Sequence, residues 1–187
     1  MGWLKKHIGL ASGLGEFGFK RWLDNHASEV LTELGVKAGQ EILDFGCGSG
    51  TYTIPAAKLV GKDGRVYALD INKGTLDRME ERAKQEGLRN IVRIDTPSEG
   101  GIPLEDETID LILMIDVLQE IDNRESLFDE VYRILKTGGI VSVYPMHIAE
   151  EEVEKLATSK GLSLEERKIQ GRILSFRKFT RKPHFST

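Results

Sequence analysis

This sequence predicts an α/β fold, doubly wound, with a mostly parallel seven-stranded sheet that ends in an antiparallel C-terminal hairpin. Three observations carry that prediction. Short runs rich in Ile, Leu and Val alternate with amphipathic stretches of helical length. Those runs are apolar at nearly every position, as strands buried on both faces of a parallel sheet require. A glycine-rich turn follows the first run, where open α/β sheets receive ligands. A chain of 187 residues fits one domain. Residues 1–35 are expected to form an N-terminal arm and helix, serving as lid or packing element, and residues 36–187 the α/β domain.

The glycine-rich stretch from Gly9 to Gly18 reads as a mobile arm. From Phe19 the apolar positions Trp22, Leu23, His26, Ala27, Val30, Leu31 and Leu34 recur at helical spacing, and Gly35 supplies a stop. The strands expected are Glu41–Phe45, Arg65–Asp70, Ile91–Asp95, Ile109–Ile115 and Ile140–Tyr144. Helices are expected over Thr53–Val60, Lys73–Gln85, Glu125–Leu135 and Glu150–Ser159. Lys62-Asp63-Gly64 and Lys136-Thr137-Gly138-Gly139 read as turns before strands. Leu162–Lys168 and Arg172–Thr180 flank Gln170-Gly171, the signature of a hairpin.

Composition narrows the function. A hydrophobic fraction of 40% and a charged fraction of 30% belong to an ordinary globular protein. The net charge of −4 offers no electrostatic reason to expect nucleic acid or an anionic membrane as partner. Cys47 is the single cysteine, so neither an intrachain disulfide nor a cysteine-based metal site can form, and the four histidines are dispersed. No metal is expected. The apolar run Ile8–Leu14 is short, interrupted by glycine and meets Glu16, which argues against a signal peptide. No run approaches the ~18 apolar residues of a membrane span. A cytoplasmic protein without membrane insertion is expected.

The stretch Ile42-Leu43-Asp44-Phe45-Gly46-Cys47-Gly48-Ser49-Gly50-Thr51 sits where a buried strand gives way to a helix. Glycines there let backbone approach a ligand closely and take positive φ at low cost; the plain alternative is a tight turn with no ligand. Asp44, ahead of the first glycine, is placed to receive a cationic amino group. Asp70 ends the next strand, where a carboxylate accepts hydrogen bonds from ribose hydroxyls; its plain alternative is a helix cap. A dinucleotide site asks for G-x-G-x-x-G with pyrophosphate at the helix N-terminus. Here the glycines fall as G-x-G-x-G behind an acid, which suits an ammonium better than a pyrophosphate. No Lys-Ser/Thr follows to make a phosphate loop, and Ser49 lacks the flanking glycines of a nucleophile elbow.

These residues resemble the class I S-adenosylmethionine-dependent methyltransferases, in particular the small methyltransferase-domain family related to quinone-biosynthesis enzymes. The resemblance runs roughly from Val36 to Val143 and implies a Rossmann-like fold with S-adenosylmethionine as cofactor. Its first motif is Leu43-Asp44-Phe45-Gly46-Cys47-Gly48-Ser49-Gly50. The resemblance assigns Asp70 to the ribose, with Ile71 beside it, Asp95 to the adenine amino group, and Thr96 as backbone partner of the ring. Ile102–Asp110 and Arg133–Gly139 resemble the family's approaches to the fourth and fifth strands. Thr137 departs from the proline common there. Asp116-Val117-Leu118-Gln119-Glu120 occupies a place where many relatives carry histidines, and the segment Tyr144–Glu150 leaves no room for an inserted cover. The cover is therefore expected from the N-terminal arm.

Methyl transfer from a sulfonium is an in-line displacement whose reactive chemistry belongs to the cofactor. A base is needed only if the acceptor must lose a proton. The substrate-side candidates are Asp116 and Glu120 after the fourth strand, and Tyr144 and His147 after the fifth. Asp116 serves equally as a helix cap, and Glu120 as a solvated helix residue. His26 reads as a core histidine. Trp3, Phe17, Phe19 and Trp22 could form an aromatic lid, although Phe19 and Trp22 are more simply core. Cys47 reads as a small packing residue of the cofactor loop. The function expected is methylation of a small molecule, the alternatives being a non-catalytic cofactor-binding protein and a nicotinamide-dependent oxidoreductase.

Overall fold

Strand order, more than any single element, determines where this protein can hold a ligand. The computed structural model describes residues 15–96 and 101–179. Its strands are β1 (Glu41–Phe45), β2 (Arg65–Asp70), β3 (Ile91–Asp95), β4 (Ile109–Ile115), β5 (Leu135–Tyr144), β6 (Leu162–Lys168) and β7 (Ile173–Lys178). They form one sheet in the order β3-β2-β1-β4-β5-β7-β6. β1 to β5 run parallel, and β7 pairs antiparallel with both β5 and β6. The chain winds outward from β1 in one direction and then from β4 in the other. Between them lies the switch point at which the following loops part to leave a crevice.

The helices are α1 (residues 15–25), α2 (Ala27–Leu34), α3 (Thr53–Val60), α4 (Lys73–Gln85), α5 (Arg124–Ile134) and α6 (Glu150–Ser159). Ile42, Val66, Leu111 and Leu113 project from the sheet into a cluster with Val30, Leu31 and Leu34 of α2 and Ala56, Ala57 and Val60 of α3. Leu43, Leu69, Ile112 and Met114 project from the opposite face toward Phe128 and Val131 of α5 and Val153 and Ala157 of α6. Adjacent residues of β1, β2 and β4 thus face different helical layers, which is why these strands read as nearly unbroken apolar runs.

Three expectations about local structure need correction. Residues 15–18 are helical, so the expected arm Gly9–Gly18 is at least partly helix; Gly9 to Leu14 lie outside the described residues. The expected single helix from Phe19 to Leu34 is two, parted at His26. There the backbone leaves helical values (φ −120°, ψ 31°) and the ring Nδ1 lies 2.8 Å from the Trp22 carbonyl, competing for the acceptor of the helical bond. His26 is half-buried and stacked on Trp22, not a core histidine, and Trp22 itself is exposed. Finally, Lys136–Gly139 does not precede the strand. It bulges out within β5, between the pairs Ile109–Leu135 and Leu111–Ile140, with Gly138 at φ +84°. Gly35 does close α2 in the left-handed conformation expected.

Candidate cofactor and acceptor site

The glycine turn leaves the C-terminal end of β1 with Gly46, Gly48 and Gly50 all at positive φ. Its glycines serve different ends. A Cβ at Gly46 would overlap the Val117 side chain, so this glycine lets the loop after β4 press against the turn. A Cβ at Gly48 would meet nothing within 4 Å, so this glycine bares backbone to open space beyond the sheet. Cys47 between them is buried, and burial pushes its thiol pKa far up. That is the signature of a packing residue.

Two carboxylates flank the turn. Asp70, at the end of β2, accepts from the Gly48 amide and the Asn72 amide, 2.8 Å each, one on each oxygen. It thereby ties the middle of the glycine turn to the neighbouring strand while its remaining lone pairs stay available. Asp44 is almost fully buried and accepts a 2.6 Å bond from Thr53 Oγ1 at the start of α3. Burial raises its pKa to about 6; the Thr53 bond opposes the shift, Asp70 adds to it and Lys20 opposes it. A carboxylate held in so dry a place is stabilised by any cation brought to it.

Ile71, next to Asp70, is 68% exposed. A large aliphatic side chain standing free at a strand end is a natural floor for a flat base. Asp95 lies on the adjacent strand, in register with Asp70. Its carboxylate is gripped by Arg93, at 2.6 and 3.1 Å, and Arg93 also binds Asp77 and Glu80 of α4. These bonds hold the Asp95 pKa below the usual carboxylate range. Thr96, half-buried, follows directly. The cofactor-side candidates Asp44, Gly46, Cys47, Gly48, Gly50, Asp70, Ile71, Asp95 and Thr96 therefore lie at the C-terminal ends of three neighbouring strands, β1 to β3.

The acceptor-side candidates sit across the switch point. Asp116 follows β4 at φ +59°, accepts from Gln119 Nε2 at 2.8 Å and lies 3.9 Å from Lys20 Nζ. Glu120 is exposed at the end of a 3₁₀ turn, Leu118–Glu120. His147 follows β5 at φ +63°, about half-exposed, with Nδ1 3.2 Å from Glu16 of α1. Tyr144, by contrast, is buried, its ring 5.6 Å from that of Phe19.

Several participants escaped the sequence reading because they come from α1 and from the helix start beyond the turn. Lys20 bonds Asp24 at 2.7 Å and lies over the Tyr52 ring, and the Tyr52 hydroxyl donates to Asp24 at 2.9 Å. The i,i+4 pair of Lys20 and Asp24 was visible as charge patterning, but nothing in the sequence placed it over β1 and β4. Trp3 lies outside the described residues, and Phe17 is exposed against His147. Among the described residues no group of three or more His, Cys, Asp or Glu side chains could hold a metal ion.

A family model described as a methyltransferase domain matches residues 36–179. The chain belongs to the methyltransferase-domain family. Among its curated relatives, the ubiquinone/menaquinone biosynthesis C-methyltransferase of Hydrogenovibrio crunogenus is 33% identical over 127 residues, 68% of this chain and 49% of that protein. The demethylmenaquinone methyltransferase of Lactobacillus johnsonii is 32% identical over 115 residues, 62% of this chain and 47% of the relative. The chain thus spans about half the length of the curated relatives it matches. A crystal structure of an S-adenosylmethionine-dependent methyltransferase from Aquifex aeolicus superimposes with a TM-score of 0.70 at 24% identity, over 80% of this chain and 87% of that one. A [4+2]-cyclase superimposes equally well, TM-score 0.70 at 16% identity over 83% and 81%. The methyltransferase-domain fold therefore does not by itself name a reaction. Among the described residues no helix is long and apolar enough to cross a membrane.

Proposed function

We propose that the chain binds S-adenosylmethionine at the ends of β1 to β3 and transfers its methyl group in line to a small molecule held beyond β4 and β5, in the cytoplasm. The observation that carries this reading is the pairing of Asp44 and Asp70 around a turn whose middle glycine faces open space. An acid for an amino group, an acid for a ribose and a bare backbone between them match the polar groups of an adenosyl amino acid. The exposed Ile71 adds an apolar floor for the base. With Asp95 committed to Arg93, the Thr96 backbone is the better candidate to read the adenine edge.

When bound, S-adenosylmethionine supplies an electrophilic methyl on a sulfonium. The chain's own residues bind, orient and exclude water. Asp70 holds the ribose while keeping the glycine turn in place. Asp44 receives the amino group, and the dryness that makes its charge costly without a partner strengthens its attraction for that cation. α1 lies across the ends of β1, β4 and β5 through Tyr52–Asp24, Lys20–Asp116 and Phe19–Tyr144, and serves as the cover. Asp116 is the acceptor-side carboxylate nearest the cover; His147, oriented by Glu16, is the candidate base for an acceptor that must lose a proton. Glu120 stands exposed at the rim. The quinone-precursor names of the relatives make an aromatic acceptor the first to try.

Calorimetry with S-adenosylhomocysteine and with NADH tests the cofactor assignment. Binding of the first only is expected, and Asp70→Ala should weaken it by roughly 2 kcal/mol, about thirtyfold. Unchanged affinity in that variant overturns the site. Release of S-adenosylhomocysteine with an accepted small molecule separates a transferase from a protein that only binds the cofactor.

A further inference from the structure

We infer that Tyr144 and Arg172 form a recess for an anionic oxygen, so that the acceptor beyond β5 carries an oxyanion on an unsaturated carbon, such as an ionised phenol or enol. The inference deepens the function proposed above and rests on it only for the statement that the anion is the methyl acceptor.

Tyr144 ends β5, in register with Ile115 at the end of β4, so it stands near Asp116 on the same side of the switch point. Its side chain is buried, and its hydroxyl proton finds no acceptor among the described residues, while Arg172 lies within reach of its oxygen. A buried hydroxyl proton without an acceptor is destabilising, so an oxygen brought to it is favoured. Burial pushes the phenol pKa up, so the group stays a proton donor at neutral pH, and the proton it offers has no acceptor. What it lacks is an oxygen with a lone pair.

Arg172 supplies the charge. It lies in the turn between β6 and β7 with its guanidinium 4.5 Å over the Phe19 ring, and it is the cation that opposes the rise of the Tyr144 pKa. No described carboxylate pairs with it within 4 Å. Arg93, Arg124, Arg133, Arg167 and Arg177 are each matched to an acid, whereas Arg172 shares its lack of one with other surface arginines and differs from them in lying against the buried Tyr144 hydroxyl. The acids that also act on Tyr144 are engaged elsewhere: Glu16 with His147, and Asp116 with Gln119 and Lys20. A donor without an acceptor and a cation without an anion thus converge on one aromatic wall. Arg172 is exposed and Phe19 half-buried, so a ligand reaches the hydroxyl by moving these two stacked side chains aside. Gln119 contributes a second orphan, its buried Oε1, on the neighbouring loop after β4. An acceptor carrying a hydroxyl as well as the oxyanion would satisfy both. An ionised ring oxygen also fits the chemistry, because it raises electron density at the atom that takes the methyl.

The probe is 4-nitrophenol, whose absorbance reports its ionisation, with 4-nitroanisole as the neutral control. Both are titrated into the full chain with and without S-adenosylhomocysteine. The nitrophenolate should bind, with the probe's pKa lowered on the protein, and nitroanisole should bind at least about tenfold more weakly. Arg172→Met and Tyr144→Phe should each weaken the anion about tenfold or more while leaving S-adenosylhomocysteine affinity unchanged, which also confirms that both variants fold. Equal affinity for the two probes, no binding of nitrophenolate, or wild-type affinity in both variants overturns the recess. Nitrophenolate binding without any S-adenosylhomocysteine binding would instead sink the cofactor reading and leave the recess standing.

Discussion

Asp44 shows how one side chain can lower stability and carry function. Its pKa, about 6, lies above the 3.8 of an ordinary aspartate, chiefly because burial disfavours the charge. The folded state therefore holds the proton more tightly than the unfolded one. Stability falls as pH rises from about 4 to 6 and the cost is constant above that, roughly 3 kcal/mol for a shift of this size. Asn can keep the Thr53 bond without the charge. Asp44→Asn is accordingly expected to raise stability at pH 8 by about 1–2 kcal/mol, to flatten the pH dependence between 4 and 6, and to weaken S-adenosylmethionine. Urea denaturation across that range checks the first two, and a less stable variant at pH 8 would refute the account. In the parent protein, cofactor affinity should decline as pH drops through about 6, where Asp44 takes up its proton. The motif made Asp44 legible as a functional acid. Its Thr53 partner and its depth were not, because both depend on how α3 seats on the sheet.

At the scale of elements, α1 is the part whose role the sequence left open between lid and packing. Leu23 is fully buried with the α2 and α3 residues, whereas Lys20 and Asp24 reach polar partners over the site. The helix packs by the face that carries Leu23, and we propose that the face carrying Lys20 and Asp24 covers the site. Leu23→Ala should cost about 2–5 kcal/mol of global stability if α1 is docked as part of the core. A loss below about 0.5 kcal/mol in thermal and urea unfolding would mean that α1 behaves as a detached lid. Hydrogen exchange in α1 supplies the complement, with protection expected to rise on cofactor binding. Periodicity found this helix from Phe19 onward because the apolar stripe begins there. It missed residues 15–18, where Phe17 is exposed and two glycines weaken the propensity. It also missed the break at His26, where the ring nitrogen and the backbone N–H share the Trp22 carbonyl.

For the molecule as a whole, the two halves of the sheet meet strands of opposite sense at β5 and β7. Ser142 and Ser175 face one another there, fully buried, with their hydroxyls 3.0 Å apart. Either Ser→Ala change alone should cost about 1–2 kcal/mol by orphaning the other hydroxyl, while the double change should be close to neutral. A double-mutant cycle on unfolding free energy measures this, and additive losses would show that the pair is not coupled. The antiparallel hairpin also carries Arg172 to Tyr144, so the junction bears on the proposed recess as well as on the sheet.

What the sequence by itself determined was whatever local pattern controls: the alternation of buried strands and helices, the hairpin at the tail, and the acid-led glycine turn with a carboxylate on the next strand. Each is set by residues close together in the chain, or by a period that a single element must satisfy. Only the tertiary structure decided which groups meet. It joined Lys20 and Asp24 to Tyr52 and Asp116, and left Tyr144 beside Arg172. Those encounters follow from strand order and from the angle at which α1 crosses the sheet. Charge and hydrogen bonding act through distance in space, and in this chain the residues proposed to meet the acceptor are far apart in sequence.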